Sequence, residues 1–267
     1  MSRLVRAVGL PLLLLGLLLP FLPLLLWAVA ERYPFPALVP TETSSRPLRL
    51  LVDPGSEVLR GLVNSTVIAL SVAVVASLIG LSAGRALGLH TFRGKRLVQF
   101  LLLAPVIVPG IAVTLGIQVF FIRYGLSDTR RGVVLAHLLA AVPYVALVMS
   151  SVYANLDIRL EEQARTLGAR PLQVFLRVTL PTVAPGLAVA ATFAFLISWG
   201  EYVLTLLVGG GAVKTLPLLL YAYLGSTDIP VAAALGLALV LPPVLLLAVT
   251  SRFLTGERTP LAGFGRV

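Results

Sequence analysis

The sequence predicts an all-α membrane protein with six transmembrane helices, and three features carry that expectation. Hydrophobic residues make up 58% of the chain and charged residues only 12%, about half the ~25% charged share of a soluble domain. The apolar residues collect in six runs, each able to supply the roughly 20 residues that cross a bilayer. None of the runs alternates apolar with polar residues as the strands of a membrane barrel do. Backbone polar groups in hydrocarbon must be satisfied within their own segment, so each run is read as a helix.

The first run covers residues 8–30 and opens with a nearly unbroken Leu/Pro/Phe stretch behind Arg3 and Arg6. Ala28-Val29-Ala30 imitates a signal-peptidase site. The apolar stretch nevertheless exceeds the roughly 7–15 residues of a signal peptide, so a retained span is expected. The second run, 62–84, begins at the polar trio Asn64-Ser65-Thr66. The third, 97–122, contains Pro105 and Pro109, and the fourth, 132–154, contains His137 and Pro143. The fifth, 187–208, holds Glu201 near its outer end, the only carboxylate inside a predicted span. The sixth, 229–250, carries Pro242-Pro243. These prolines are expected to kink their helices. Residues 216–224 are apolar but too short to span, which fits an interfacial or re-entrant outer segment.

Lysine and arginine orient the chain. With the N-terminus inside, thirteen of the 21 Lys and Arg residues fall in cytoplasmic segments and eight outside. Cytoplasmic loops carry the excess of cations, so both termini are expected in the cytoplasm. Residues 31–61 then form an external loop, 155–186 a cytoplasmic one, and 255–267 a cytoplasmic tail.

Several function classes fall away. The net charge of +10 is spread over nearly every loop rather than gathered into a patch with interleaved aromatics, so no nucleic-acid partner is expected. With no cysteine in the chain, disulfides and thiolate chemistry are excluded. His90 and His137 are isolated, so no metal site is expected, and His137 is read as a packed or hydrogen-bonded helix residue. Gly209-Gly210-Gly211 with Lys214-Thr215 echoes a phosphate loop, but Val213 stands where a Gly must precede the Lys. No ATP site and no cofactor are therefore expected in this chain. An intramembrane enzyme would need a dyad within the spans, whereas Asp157 and Asp228 lie in loops, so no catalytic residue is assigned. A self-contained carrier would show inverted halves, and none is visible. Glu201 is a candidate pore or gate residue, because an intramembrane carboxylate is costly; the plainer reading is an interfacial position.

The cytoplasmic loop, within 157–186, reads DIRLEEQARTLGARPLQVFLRVTLPTVAPG. Leu160, Ala164 and Leu167 form one apolar stripe on a short helix. Gly168 suits its C-terminus, where φ turns positive, and Pro171 suits the first turn of a second helix. That helix presents Leu172, Phe175, Leu176 and Val178, and Pro181 and Pro185 are expected to interrupt the run before span five. A helical pair this short cannot bury its own apolar face. On the residues alone it either docks into a partner or rests on the lipid interface.

The sequence Glu162-Gln163-Ala164, then Gly168, then Val178-Thr179-Leu180-Pro181 resembles the EAA loop of bacterial binding-protein-dependent ABC importer permeases. The spacing matches at each step, with Gln163 in place of the usual first Ala. Asn64-Ser65-Thr66, Pro105-Val106-Ile107-Val108-Pro109-Gly110, and Ser198-Trp199-Gly200-Glu201-Tyr202 followed by Thr215-Leu216-Pro217 are similar to further elements of that family. The resemblance implies a MetI-like permease fold over 62–254, with 1–61 as an added helix and external loop. It implies that the loop forms a coupling helix seated in a separate ATPase subunit, with Glu162, Ala164, Arg165 and Gly168 as contact residues. It further implies an identical or homologous second permease, an external solute-binding protein, and placement in the bacterial inner membrane. The region 198–217 resembles polyamine-, thiamine- or iron-type permeases more than sugar-type ones.

Overall fold

The computed structural model describes residues 18–33 and 37–254, with positions 9, 11, 12, 15 and 16 before them. Positions 8, 10, 13, 14 and 17 of the first expected span therefore lie outside the described residues. The elements, in chain order, begin with helix α1 (Phe21–Ala28), strands β1 (Ala30–Arg32) and β2 (Glu42–Thr43), and helix α2 (Arg46–Leu50). Helices α3 (Glu57–Leu89), α4 (Lys95–Ile107), α5 (Gly110–Arg123) and α6 (Arg130–Ala154) follow. Then come α7 (Arg159–Thr166), α8 (Pro171–Val174), a π-helical turn (Phe175–Thr179), α9 (Leu180–Trp199) and α10 (Val203–Gly209). Helices α11 (Leu216–Gly225) and α12 (Ile229–Leu254) complete the described chain.

Among the described residues, four single helices are long and apolar enough to cross a membrane: Glu57–Leu89, Arg130–Ala154, Pro171–Trp199 and Ile229–Thr250. A fifth crossing exists if α4 and α5 count as one broken span, bent by 93°. The break has a local cause. Pro109 has no N–H to donate, and Val108 before it takes an extended conformation, ψ 135°, as a residue preceding proline does. Span three is thus two helices rather than one kinked helix. Helix α11 is apolar and too short to span, as expected.

The described chain divides into two compact units. One comprises residues 1–64 and 214–242. Here β1 and β2 pair antiparallel, an element the all-helical expectation did not include. Ala28, Ala233 and Ala234 form a small buried cluster with Leu24 and Trp27 against it. Arg46 grips both carboxylate oxygens of Asp228 at 2.8 and 2.7 Å. Asn64 Nδ2 donates to the Lys214 carbonyl at 2.8 Å, and Lys214 Nζ reaches Glu57 at 2.7 Å. Asn64, the first of the polar trio that opens span two, therefore ties the chain to the segment preceding α11.

The other unit comprises residues 65–213 and 243–267 and is organised around α6. Thr129 caps that helix, its hydroxyl accepting from Gly132 N–H at 3.0 Å. Helix α3 meets α6 along Gly80, Gly84 and Gly88: a Cβ at Gly84 would collide with Met149, and one at Gly88 would lie 2.6 Å from the Ser150 carbonyl. With no hydrophobic effect between helices in lipid, such small residues let backbones approach for van der Waals contact.

The largest correction concerns Pro181 and Pro185. They do not interrupt the run before span five: the helix is continuous from Pro171 to Trp199. The π-helical turn makes this possible. Leu180 N–H bonds to Phe175 O, one residue further back than in an α-helix. That widened turn accommodates the following Pro181, which lacks an N–H and whose ring crowds the carbonyl four residues earlier.

Candidate functional site

The hairpin within residues 157–180 forms as the residues dictate. Helix α7 ends in a Schellman motif. Gly168 takes φ +84°, Gly168 N–H bonds to Arg165 O at 2.9 Å, and Ala169 N–H reaches back to Ala164 O at 3.0 Å. Helix α8 then starts at Pro171, where Gln173 Oε1 accepts from Arg170 N–H at 2.9 Å. The hairpin leaves its large apolar tips uncovered: Leu167 is 88% exposed and Leu172 67% exposed, with Leu176 and Ile158 also outward. The stripe expected from Leu160, Ala164 and Leu167 is only half right. Leu160 and Ala164 are half-buried, and Leu167 points away.

What holds the hairpin in place is Glu161, which the sequence reading passed over in favour of Glu162. Its side chain is 1% exposed. Arg85 Nη1 donates to Oε1 and Nη2 to Oε2, both at 2.7 Å. Thr179, in the π-helical turn, donates to Oε1 at 2.7 Å, and Arg165 reaches Oε2 at 3.1 Å from the exposed side. Arg85 also lies over the Tyr153 ring, 5.8 Å from its centroid. Hydrogen bonding from Arg85, and then from Thr179, outweighs burial and draws the Glu161 carboxyl down to about 2. One carboxylate thus joins the C-terminal end of α3 to both arms of the hairpin. A signal did exist in the sequence: Arg85 is the first cation after span two, and Glu161 stands four residues before Arg165.

The expected coupling residues sit differently. Glu162 and Arg165 are exposed, Ala164 is half-buried, and Gly168 makes the turn. Nothing lies within 4 Å of a Cβ built on Gly168, so backbone conformation rather than space calls for glycine there.

Glu201 lies in a break between α9 and α10. Its Oε1 accepts from Leu204 N–H at 3.1 Å, capping α10. It lines a cavity of about 100 Å³ with Pro105, Gly110, Val113, Leu139, Ala140 and Leu204. His137, buried on α6, clamps the same break. Thr205 gives its single hydroxyl proton to the Glu201 carbonyl at 3.1 Å. It must therefore accept from His137 Nε2–H at 3.0 Å, which leaves Nδ1 to accept from the Ser198 hydroxyl at 2.8 Å. His137 is hydrogen-bonded at both nitrogens, as a packed helix histidine is expected to be. In the Gly209-Gly210-Gly211 run, Gly209 ends α10 and the other two turn after it, Gly210 at φ +51° and Gly211 at +81°.

A family model described as "Binding-protein-dependent transport system inner membrane component" matches residues 76–255. The chain is 33% identical over 165 residues to the putrescine transport system permease protein PotI of Escherichia coli (strain K12), covering 59% of each. It is 32% identical over 168 residues to the trehalose transport system permease protein SugB of Mycobacterium tuberculosis, covering 62% of this chain and 61% of the relative. The matches thus span about three fifths of the length of these relatives. Among solved structures, a chain of a bacterial ABC transporter involved in the import of alginate superposes with TM-score 0.71 at 21% identity. That superposition covers 94% of this chain and 98% of the other. Family and structural likeness together establish the all-α, MetI-like permease fold.

Proposed function

Because the chain belongs to the family of binding-protein-dependent transport system inner membrane components, we propose that it is the membrane-spanning subunit of an ATP-driven importer. In this reading a separate subunit hydrolyses ATP, and the hairpin around Gly168 docks into it. The observation that carries the proposal is the combination at that hairpin: a buried anchor at Glu161 beneath bare apolar tips at Leu167 and Leu172. Apolar groups held out on a rigid support lose stability in water unless a partner covers them. Glu162, Ala164, Arg165 and Gly168 belong to the docking segment. Residues 62–254 make the transport core, 1–61 an added helix and external loop, and 255–267 a cytoplasmic tail, with both termini in the cytoplasm. An identical or homologous second permease and an external solute-binding protein complete the assembly.

For the solute we infer a polyamine-, thiamine- or iron-type cargo, with Glu201 on its path. These cargoes share positive charge, which a carboxylate in a narrow cavity suits. Relatives of nearly equal identity carry putrescine and trehalose names, so the inference rests on Glu201 rather than on identity. A sugar is the second reading.

Affinity purification of the chain from membranes in mild detergent tests the assembly. Recovery of an ATPase subunit is expected. A lone chain that transports by itself would overturn the proposal in favour of a carrier. The ligand held by the co-purifying solute-binding protein tests the cargo, and a neutral sugar there would end the cation reading.

A further inference from the structure

The coupling hairpin must be held by something if it is to pass force into the membrane, and Glu161 is the one buried carboxylate on it. We propose that the Arg85–Glu161–Thr179 cluster is a positioning lock that makes the hairpin and the cytoplasmic end of α3 move as one body. The inference rests on the docking role given to the hairpin above.

Three features of the geometry carry it. Both carboxylate oxygens are taken by Arg85 in a fork-to-fork pair at 2.7 Å, which fixes orientation as well as distance. Thr179 donates to the same carboxylate at 2.7 Å from the opposite arm of the hairpin. The contact therefore fastens α7, the π-helical turn and α3 at a single point. The residues flanking Arg85 on α3 are already pressed onto α6 at Gly84 and Gly88, so the anchor is itself anchored. Arg85 is 29% exposed, and its ring contact with Tyr153 restricts it further. Arg165 adds only an exposed fourth member. The Arg85–Glu161 pair is the polar tie between the hairpin and α3 among the described residues. Without it a docked hairpin could swing and leave α3 behind.

Because the chain has no cysteine, two can be introduced alone. Spin labels at His90→Cys, beyond α3, and Thr166→Cys, on α7, report their separation by pulsed EPR in the assembled transporter, without nucleotide and trapped with ATP. One narrow separation, identical in both states, is expected. In Glu161→Gln the distribution should broaden and shift between states, and solute moved per ATP should fall about fivefold or more while the ATPase subunit still co-purifies. Thr179→Val, which removes one donor and keeps the ion pair, should fall between the two. Arg85→Lys should recover part of the loss relative to Arg85→Ala. The lock is refuted if the separation changes between states in the unaltered pair. It is equally refuted if Glu161→Gln leaves both separation and transport per ATP unchanged. If instead the separation is fixed but the label at 166 never senses the ATPase, the docking role fails and the lock stands as a feature of the fold.

Discussion

Arg85 and Glu161 stand 76 positions apart in the chain and meet as a two-toothed ion pair in which the carboxylate is almost wholly buried. Removing one member leaves the other partly desolvated. Glu161→Ala and Arg85→Ala should each cost on the order of 2–4 kcal/mol, somewhat below a fully buried pair because Arg85 retains water. Thermal unfolding in detergent checks this, and a loss no larger than that of an exposed pair would contradict the burial described.

The same pair sets a pH response. The carboxyl of Glu161 is drawn from 4.5 to about 2 by its hydrogen bond from Arg85, then by Thr179. A depressed carboxyl stabilises the fold fully above its unfolded value and loses that contribution as the pH falls toward the folded one. The hairpin should thus hold between pH 5 and neutrality and loosen between about pH 4.5 and about pH 2. Mobility of a label at Thr166→Cys reports it; loosening already at pH 6 would count against the pair.

At Gly168 the backbone lies at φ +84° with open space around it. Gly168→Ala should cost about 1 kcal/mol or slightly more from conformation alone. Gly168→Pro fixes φ near −65° and deletes the bond to Arg165 O, so uptake should be lost while membrane insertion persists. Glu162→Lys should uncouple likewise. Normal uptake in both Gly168→Pro and Glu162→Lys would refute a coupling role for the hairpin.

Close helix contact predicts a third sensitivity. Gly84→Val would drive a branched side chain into Met149 and the backbone beside it, costing several kcal/mol, at or above the ~1–3 typical of overpacking. Gly116→Ala, where nothing lies within 4 Å, should be silent. Comparing the yields of folded protein separates the two.

Glu201→Gln retains an acceptor for Leu204 N–H and removes the charge. Uptake of a cationic solute should fall about tenfold or more, the effect of a charge worth at least ~1.4 kcal/mol in the path, with little change in thermal stability. Unchanged uptake would place Glu201 outside the path.

How much of this was legible in the sequence depends on range. Helix α6 and the Gly168 turn follow from local chemistry, and their bounds came out within two residues of the expected ones. The passage of a helix through Pro181 and Pro185 was not legible, because the remedy is a widened turn built from residues 175–179 that have no turn-forming composition. Glu161 was missed because its partners, Arg85 and Thr179, are remote, and adjacent glutamates look alike until the fold buries one. The β1–β2 pair is two short strands brought together by a loop, too brief to leave an alternating pattern. His137 was legible as a hydrogen-bonded residue, though Ser198 and Thr205 were not nameable as its partners.

The unbroken helix from Pro171 to Trp199 also has a mechanical meaning. Its 29 residues make a rod about 43 Å long at ~1.5 Å per residue. One end begins beside the bare tips of the hairpin, and the other stops two residues short of Glu201. A tilt of only about 5° about one end would swing the opposite tip by ~4 Å over that length. That is wider than a water molecule, so in the proposed importer a small push on the hairpin would change what fits beside the carboxylate.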